Sequence, residues 1–260
     1  MTCQTCQNTY MVCDPETGWM ACPDCPGFPI TESQIWHGDS RILVKAITRP
    51  VDLIVVDPPY GMAHKSKFAE TASAKRFVRE LEGDDDLDGA LELFHNVMVP
   101  LVTKTADTCD MYVFTRWNMI QVWSEAIEKL APFEVKNVLV WEKVYLGMGD
   151  IDCNWPFSWE AIIYAKKGRR HINERRSSIL KFPRMSHYEL IHPTEKPVEL
   201  IQELIRLSSA KGDFVVDPFS GSGSTVVAAH RLGRVGLGIE TDEFYIARSR
   251  ERLKQGVFDL

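Results

Sequence analysis

The sequence predicts an α/β fold, in which a mostly parallel sheet is covered by helices on both faces. Short β-branched runs alternate with longer helical patterns along most of the chain, and turns rich in proline or glycine directly follow two of the runs. A third observation sets a small N-terminal piece apart, because five of the seven cysteines fall within the first 25 residues. We therefore expect a cysteine-rich segment at residues 1–30 and one α/β domain at residues 31–260.

The spacing of apolar residues predicts the individual elements. Seven strands are expected at residues 35–36, 52–56, 111–115, 135–141, 161–165, 214–216 and 235–239. Five helices are expected at residues 87–102, 118–130, 197–208, 225–232 and 243–254. Two stretches indicate functional loops, a mobile one at residues 61–88 and a basic one at residues 166–191.

Composition and charge limit the function classes. The 260 residues, 45% of them hydrophobic, suit one enzyme domain with a small appendage. A net charge of −6 argues against a protein that coats nucleic acid non-specifically. No apolar run approaches the roughly 20 residues that span a bilayer, and the N-terminus does not resemble a secretory signal. We expect a cytoplasmic protein without membrane contact.

The N-terminal cysteines have the spacing of a four-thiolate zinc site. Cys3 and Cys6 form one C-x-x-C pair, and Cys22 and Cys25 form a second pair fifteen residues later. Tetrahedral Zn²⁺ binding would supply folding energy to a segment too short to bury its own core. Disulfide pairs are the alternative, which a reducing cytosol disfavours. We expect a zinc-ribbon-like piece with a structural Zn²⁺.

A basic stretch stands out in this acidic chain. Between positions 166 and 184 there are eight basic residues and a single acid, Glu174. The basic residues are Lys166, Lys167, Arg169, Arg170, Arg175, Arg176, Lys181 and Arg184. The stretch is a candidate surface for contacting phosphates, and a solvated charged face is the alternative.

The tetrapeptide Asp57-Pro58-Pro59-Tyr60 directly follows an apolar strand and so is expected at the carboxyl edge of the sheet, where α/β proteins bind ligands. An aromatic amino group is a poor nucleophile, because its lone pair is delocalised into the ring. Asp57 and the rigidly held Pro58 carbonyl can each accept one N–H of such a group. Tyr60 offers a face on which a base rotated out of a duplex can stack. The alternative is a structural turn with Asp57 as a cap and Tyr60 in the core.

A glycine-rich turn at residues 217–225 follows the strand at 214–216 and opens a helix. Glycine lets a backbone turn tightly and approach a ligand. Glu240 follows Gly221 by nineteen residues, at the end of the next strand, where it can bind ribose hydroxyls. Val226 occupies the position of the third glycine of the dinucleotide fingerprint, which disfavours a pyrophosphate ligand and a nicotinamide-dependent oxidoreductase. An adenosine ligand without phosphates, such as S-adenosylmethionine, fits better than a turn that only precedes a packing helix.

The two motifs in this order resemble those of the DNA amino-methyltransferases of the β arrangement, in which the catalytic motif precedes the cofactor motif. Three further segments, at residues 38–39, 159–168 and 192–197, resemble the same family. The resemblance covers about residues 35–255. It implies an S-adenosylmethionine-dependent methyltransferase fold with a seven-stranded sheet, one strand of which is antiparallel.

The resemblance also implies roles for individual residues. Catalysis is expected at Asp57, Pro58, Pro59 and Tyr60. Cofactor binding is expected at Asp39, Lys196, Asp217, Phe219, Ser220, Gly221, Gly223, Ser224, Thr225 and Glu240. Independently of the resemblance, the charge of the basic stretch leads us to expect contacts with DNA phosphates at Lys166, Lys167, Arg169, Arg170, Arg175 and Arg176, with the loop at 61–88 closing over the DNA.

The implied reaction is transfer of a methyl group to an exocyclic amino nitrogen of DNA. Asp at the first motif position and Tyr at the fourth favour N6 of adenine, with N4 of cytosine as the alternative. An RNA methyltransferase and a non-catalytic zinc-containing DNA-binding protein are further alternatives. The interval between Gly168 and His192 is short for a target-recognition region. This indicates that the recognised DNA sequence is short or loosely defined, or that the zinc-ribbon-like piece assists in recognition. Relatives often pair, so a homodimer is also considered.

Overall fold

The computed structural model describes residues 11–14, 18–21, 30–61, 86–144, 153, 155–185 and 195–255. The strands are β1 Met11–Asp14, β2 Gly18–Ala21, β3 Gln34–His37, β4 Val51–Val56, β5 Thr105–Thr115, β6 Glu134–Glu142, β7 Trp159–Lys167, β8 Ile179–Lys181, β9 Phe214–Asp217 and β10 Val235–Glu240. The helices are α1 Ser40–Leu43, α2 Leu87–Val102, α3 Ile120–Glu128, α4 Val198–Ser208, α5 Ser224–Arg231 and α6 Glu243–Gln255. Short 3₁₀ turns at Val44–Ala46 and Trp117–Met119 follow α1 and precede α3.

In the described part of the chain, eight strands form one sheet in the order β3-β10-β9-β4-β5-β7-β6-β8. β7 pairs antiparallel with both β5 and β6, whereas every other pairing in this sheet is parallel. The chain continues from β4 to β5 on one side and from β9 to β10 on the other, although β4 and β9 are neighbours. Such a switch in direction leaves a cleft at the carboxyl ends of the two strands.

Each face of the sheet carries its own apolar layer. Along β4, Ile54 packs into the cluster that contains Phe94 of α2 and Trp123 of α3. Leu53 packs on the opposite face with Leu204 of α4. Successive side chains of a strand point to opposite faces. A strand that is covered on both faces therefore has an uninterrupted run of apolar residues, and this run was the basis for predicting β4.

The chain directly after the first motif contacts the start of α2. Gly61 has a φ of +67°, and a Cβ there would collide with the Asp86 carbonyl oxygen and lie 2.5 Å from the Leu87 Cα. Asp86 caps α2 by accepting a hydrogen bond from the Gly89 amide at 2.7 Å. The two ends of the predicted loop are therefore in contact, and its described C-terminal end belongs to α2. Residues 62–85 lie outside the described residues.

The predicted elements are all present, with longer strands. The helix at 87–102 has the predicted bounds, and the helix at 118–130 is divided into a 3₁₀ turn and α3. The sheet has eight strands rather than seven, because β8 adds to the edge beside β6. β8 has only three residues, of which Leu180 alone is buried, so its sequence carries no strand pattern. The four-residue helix α1 was not predicted either.

Outside the main sheet, β1 and β2 form an antiparallel pair. In sequence they lie between the two C-x-x-C pairs, and Cys3, Cys6, Cys22 and Cys25 lie outside the described residues. Within the described residues there is no group of three or more His, Cys, Asp or Glu side chains that could hold a metal ion. The zinc site and the boundary near residue 30 therefore stay predictions. No described helix has the length and apolar character that a membrane crossing needs.

Candidate active site

The two sequence motifs meet at the cleft between β4 and β9. Leu53 pairs with Val215 and Ile54 with Val216, so both strands end at the same level of the sheet. Asp57 directly follows β4, and Asp217 is the last residue of β9. Burial is the main cause that raises the pKa of Asp217, and the negative charge of Asp57 adds a smaller effect in the same direction. The first motif and the glycine turn, 160 positions apart in sequence, thus meet at one edge of the sheet.

The first motif forms a half-buried acceptor site. The Tyr60 hydroxyl donates a hydrogen bond to Asp57 Oδ1. The Tyr60 ring packs edge-on against Trp123, with 6.5 Å between the ring centroids. Burial raises the pKa of Asp57, and the nearby Lys196 ammonium only partly offsets this effect. The contact with Trp123 fixes the tyrosine beside the carboxylate that it binds.

Lys196 lies at this first motif, although the resemblance implied a cofactor role. Its Nζ is 2.7 Å from Asp57 Oδ2 and 3.4 Å from Glu160 Oε2. The ammonium also lies 5.3 Å from the centroid of the Phe114 ring. Glu160, near the start of β7, accepts a hydrogen bond from Lys143 Nζ through Oε1 at 2.5 Å. Sequence reasoning gave Glu160 no role of its own, and the available signal was a single acid directly before the apolar run at residues 161–165.

The glycine turn fits tightly over β10. Ser220 donates its backbone N–H to the Ile239 carbonyl at 3.0 Å, and Gly223 has a φ of +77°. A Cβ on Gly238 of β10 would lie 2.7 Å from both Cβ and Oγ of Ser220, so only glycine lets the turn sit this low. Ser220 is 6% exposed, and its Oγ has no hydrogen-bond partner among the described residues.

Two acids flank this turn. Glu240 Oε2 accepts a hydrogen bond from the Gly221 amide at 2.8 Å, and Oε1 accepts the Thr241 and Asp242 amides at 2.9 Å. Burial nevertheless raises the pKa of Glu240. Asp217 accepts the Phe219 amide at 3.1 Å, and burial raises its pKa to about 7. The turn is therefore lined by carboxylates that a cationic or hydroxyl-bearing ligand would stabilise.

The other predicted cofactor residues surround the same turn. Gly38 donates its amide to the Glu240 carbonyl at 2.9 Å, which brings Asp39 to this edge. The Asp39 carboxylate caps α1 and pairs with Arg41 at 2.6 Å. Ser224 and Thr225 begin α5, and Thr225 hydrogen-bonds to Asp217.

The basic stretch lies mostly at the opposite edge of the sheet. β7 is antiparallel, so its last residue, Lys167, pairs with Cys109 in β5, at the level of the start of β4, whereas Ala161 pairs with Thr115 at the end of β5. Six residues at about 3.4 Å each place the end of β7 about 20 Å from the catalytic edge. Lys166 and Arg169 neighbour Lys167 in this region.

Several of these basic side chains already have acidic partners. Arg170 pairs with Asp213 and Asp52, at the starts of β9 and β4, and Lys166 lies 3.6 Å from Asp110. Arg176 pairs with Glu174 at 3.1 Å and with Glu203 of α4 at 3.3 Å. Arg175 is exposed in the same stretch, which leads back along the sheet to β8. The placement thus separates Lys166, Lys167 and Arg170 from Asp57.

Comparison with known proteins places this chain in a family. A family model described as DNA methylase, N6_N4_Mtase, matches residues 51–251, a span that includes both motifs. The chain belongs to the DNA methylase family. This confirms the resemblance to N6-adenine and N4-cytosine amino-methyltransferases that the two motifs carried.

Several relatives of this DNA methylase family member match over most of their length. The type II methyltransferase M2.LlaDCHI of Lactococcus lactis subsp. cremoris is 28% identical, over 85% of this chain and 88% of its own. The putative methylase YubD of Escherichia coli strain K12 is 31% identical, over 85% of this chain and 90% of its own length. The DNA adenine methyltransferase YhdJ of the same strain is 28% identical, over 84% and 82%.

Solved structures share the fold of this DNA methylase family member. The M1.HpyAVI–SAM complex matches with a TM-score of 0.66 and 23% identity, over 85% of this chain and 98% of that one. The cytosine-N4-specific PvuII DNA methyltransferase matches with a TM-score of 0.65 and 16% identity, over 85% of this chain and 87% of that one. At these identities the likeness establishes the α/β architecture and nothing finer.

Proposed function

We propose that this DNA methyltransferase family member transfers a methyl group from S-adenosylmethionine to the exocyclic N6 of adenine in DNA. The observation that carries the proposal is the pair of motifs at one cleft, with the Asp57 carboxylate beside the Asp217–Thr225 turn. An acceptor for an amino group and a pocket for a methyl donor must share one cavity for direct transfer. The relative described as a DNA adenine methyltransferase supports the same assignment.

The residues of the turn fit the proposed methyl donor. S-adenosylmethionine carries positive charge on its sulfonium and amino groups, and the buried Asp217 and the half-buried Glu240 flank the turn. A ribose diol matches Glu240, and the buried Ser220 Oγ offers a polar atom that still needs a partner. Val226 follows the turn where a phosphate cradle would need glycine. When bound, S-adenosylmethionine would supply an electrophilic methyl group.

The two oxygens of Asp57 would have different tasks. Oδ2 is held by the Lys196 ammonium at 2.7 Å, whereas Oδ1 is held by the neutral hydroxyl of Tyr60. A hydroxyl can rotate away without leaving an unpaired charge, so Oδ1 is the oxygen that can accept an amino hydrogen of the base. The Pro58 carbonyl would accept the second hydrogen, and the Tyr60 ring would stack on the flipped base. Both contacts direct the nitrogen lone pair out of the ring system.

DNA is proposed to approach the carboxyl edge of the sheet rather than the basic stretch at the opposite edge. Trp117 follows β5 and Trp159 begins β7, so both lie at the edge that holds Asp57, and they are 57% and 39% exposed. Trp155, 89% exposed, precedes β7. Exposed aromatic rings of this kind stack on unpaired bases. Arg116 and Arg184, which follow β5 and β8, would add phosphate contacts at the same edge.

The decisive experiment is methylation of unmodified genomic DNA, followed by nucleoside mass spectrometry and base-resolved mapping. N6-methyladenine is expected, whereas N4-methylcytosine would select the alternative base. Incorporation into RNA alone would reassign the substrate class. Absence of transfer to any nucleic acid would favour the zinc-containing DNA-binding alternative.

A variant pair tests the assignment of Asp57 within the same strand region. Asp57→Ala should bind S-adenosylmethionine normally in calorimetry but lose methyl transfer by at least about 100-fold, because it removes an acceptor used in the transition state. Asp52→Asn is the matched control, since Asp52 lies at the opposite end of β4 and accepts the Phe214 amide at 2.8 Å. Normal transfer by Asp57→Ala would refute the catalytic role.

A further inference from the structure

Four charged side chains of alternating sign form a chain that ends at the proposed catalytic carboxylate. Lys143 Nζ lies 2.5 Å from Glu160 Oε1, Glu160 Oε2 lies 3.4 Å from Lys196 Nζ, and Lys196 Nζ lies 2.7 Å from Asp57 Oδ2. These residues come from three separate places in the sequence besides the first motif. Contacts between β6, β7 and the segment before α4 therefore converge on Asp57.

Burial makes the middle of this chain depend on its partners. The Lys196 side chain is only 8% exposed, and an ammonium so far from water requires nearby anions to stay charged. Burial alone would lower the pKa of Lys196, but Asp57 and Glu160 outweigh burial and raise it. Burial alone would likewise raise the pKa of Glu160, but Lys196 and Lys143 outweigh burial and lower it.

The other charged groups around Asp57 do not replace Lys196. Asp217 of β9 and Glu160 of β7 are acids, and both disfavour a second negative charge nearby. Tyr60 donates a neutral hydrogen bond, and Arg116 acts on Tyr60 from the end of β5. Within the described residues, the cation in direct contact with the Asp57 carboxylate is thus Lys196, whose second anion is Glu160.

We propose that Glu160 is a positioning residue that keeps Lys196 charged and in place while Asp57 changes its charge during turnover. The inference rests on the proposed function. In the methyl transfer the new N–C bond forms as the S–C bond breaks, and the nitrogen then carries one surplus proton. Asp57 Oδ1 takes up that proton and later releases it to solvent, so the carboxylate is neutral for part of each cycle. Lys196 then needs another anion, and Glu160 supplies it.

Substitution of the two partners should move the titration of Asp57 in opposite directions. Glu160→Gln removes the anion that supports Lys196 when Asp57 is protonated, so protonated Asp57 becomes less stable and Asp57 titrates at lower pH. Lys196→Met removes the cation that stabilises ionised Asp57, so Asp57 titrates at higher pH. Each change should amount to about one pH unit or more, the usual effect of one close charge on a buried group.

The test uses carbon NMR of the full-length protein labelled at aspartate carboxyl carbons, with Asp57→Asn identifying the resonance. Glu134→Gln serves as the control, because Glu134 is an exposed acid of β6 that pairs with Lys136. We expect the Asp57 titration to move down in Glu160→Gln, up in Lys196→Met and not at all in Glu134→Gln. These titrations need neither cofactor nor DNA.

The kinetic arm follows the acid limb of the pH–kcat profile for DNA methylation. In Glu160→Gln this limb should move to lower pH, with kcat reduced about tenfold or more and KM for DNA changed little. A merely structural Glu160 would lower kcat without moving either the limb or the Asp57 titration, and that result overturns the inference. A wild-type chain that methylates no nucleic acid overturns the proposed function, while the titrations still decide the role of Glu160 independently.

Discussion

Gly238→Ala should weaken cofactor binding from beneath the turn, without touching the ligand. The new Cβ would lie 2.7 Å from Ser220 and 2.9 Å from Ile35 Cδ1, whereas ordinary contacts are 3.4–4 Å. The end of the Ile35 side chain can rotate away, but Ser220 must move by about 0.7–1.3 Å together with its backbone. Overpacking of this kind costs about 1–3 kcal/mol when Ser220 stays in place. The free protein relieves this strain by displacing the turn, and returning the turn to its binding position then raises Kd by up to roughly 150-fold.

Isothermal titration calorimetry with S-adenosylmethionine measures this loss. Gly236→Ala is the matched control on the same strand, because its Cβ would press on Val226 and Ala229 of α5 instead, at 3.0 and 3.1 Å. Both variants should lower Tm, but only Gly238→Ala should lose most of its affinity.

A double substitution separates steric displacement from general damage. Ser220→Gly removes the two atoms that the added Cβ would meet in the turn, so the effect of Gly238→Ala should shrink to less than about threefold when measured in the Ser220→Gly background. Affinity of Gly238→Ala within twofold of the wild type would refute the reasoning. So would an equal loss in both backgrounds.

Three further predictions follow from the acids, the sheet edges and the cysteines. Burial raises the pKa of Asp217 to about 7, so this group favours the folded state fully below about pH 4 and loses that contribution as the pH rises towards 7. In thermal melts, Asp217→Asn should therefore raise Tm at pH 8 but not at pH 4. An equal effect at both pH values would contradict the buried-acid interpretation. Trp117→Ala should weaken DNA binding, measured by fluorescence anisotropy, by about fivefold or more. Arg170→Gln should lower Tm and leave DNA affinity unchanged. Weaker DNA binding in Arg170→Gln and unchanged binding in Trp117→Ala would instead place the DNA surface at the sheet edge that holds Arg170. Elemental analysis should find about one zinc per chain, lost in Cys22→Ser, and a metal-free wild type with free thiols would remove the zinc proposal.

The two motifs could be predicted from sequence because each is local and follows a strand. The apolar runs of β4 and β9 place Asp57 and Asp217 at strand ends, and ends of parallel strands share an edge. The pair between Lys196 and Asp57 joins residues 139 positions apart and leaves no periodic trace, so only the fold reveals it. Glu160 is similar, because a single acid in a strand does not show which partners it meets.

Strand direction decides where the basic stretch lies relative to Asp57, and its charge pattern carries no such information. Its first residues end β7, and in a parallel strand such residues would lie at the catalytic edge. The family resemblance implied one antiparallel strand, but no apolar pattern identifies which strand it is, because alternation reads the same in both directions. β7 is that strand, so Lys166 lies beside the middle of β5 and Arg170 beside the starts of β4 and β9 instead.

The contact between Gly61 and Asp86 lets the segment between them vary in length without disturbing its two ends. Because the chain departs and re-enters at one pinned crossing, insertions or deletions within residues 62–85 need not alter the register of β4 or the start of α2. The crossing directly follows Tyr60, so the proposed base-stacking residue and the start of α2 are tied to one point. Segments of other lengths can therefore replace residues 62–85 while β4 and α2 keep their places.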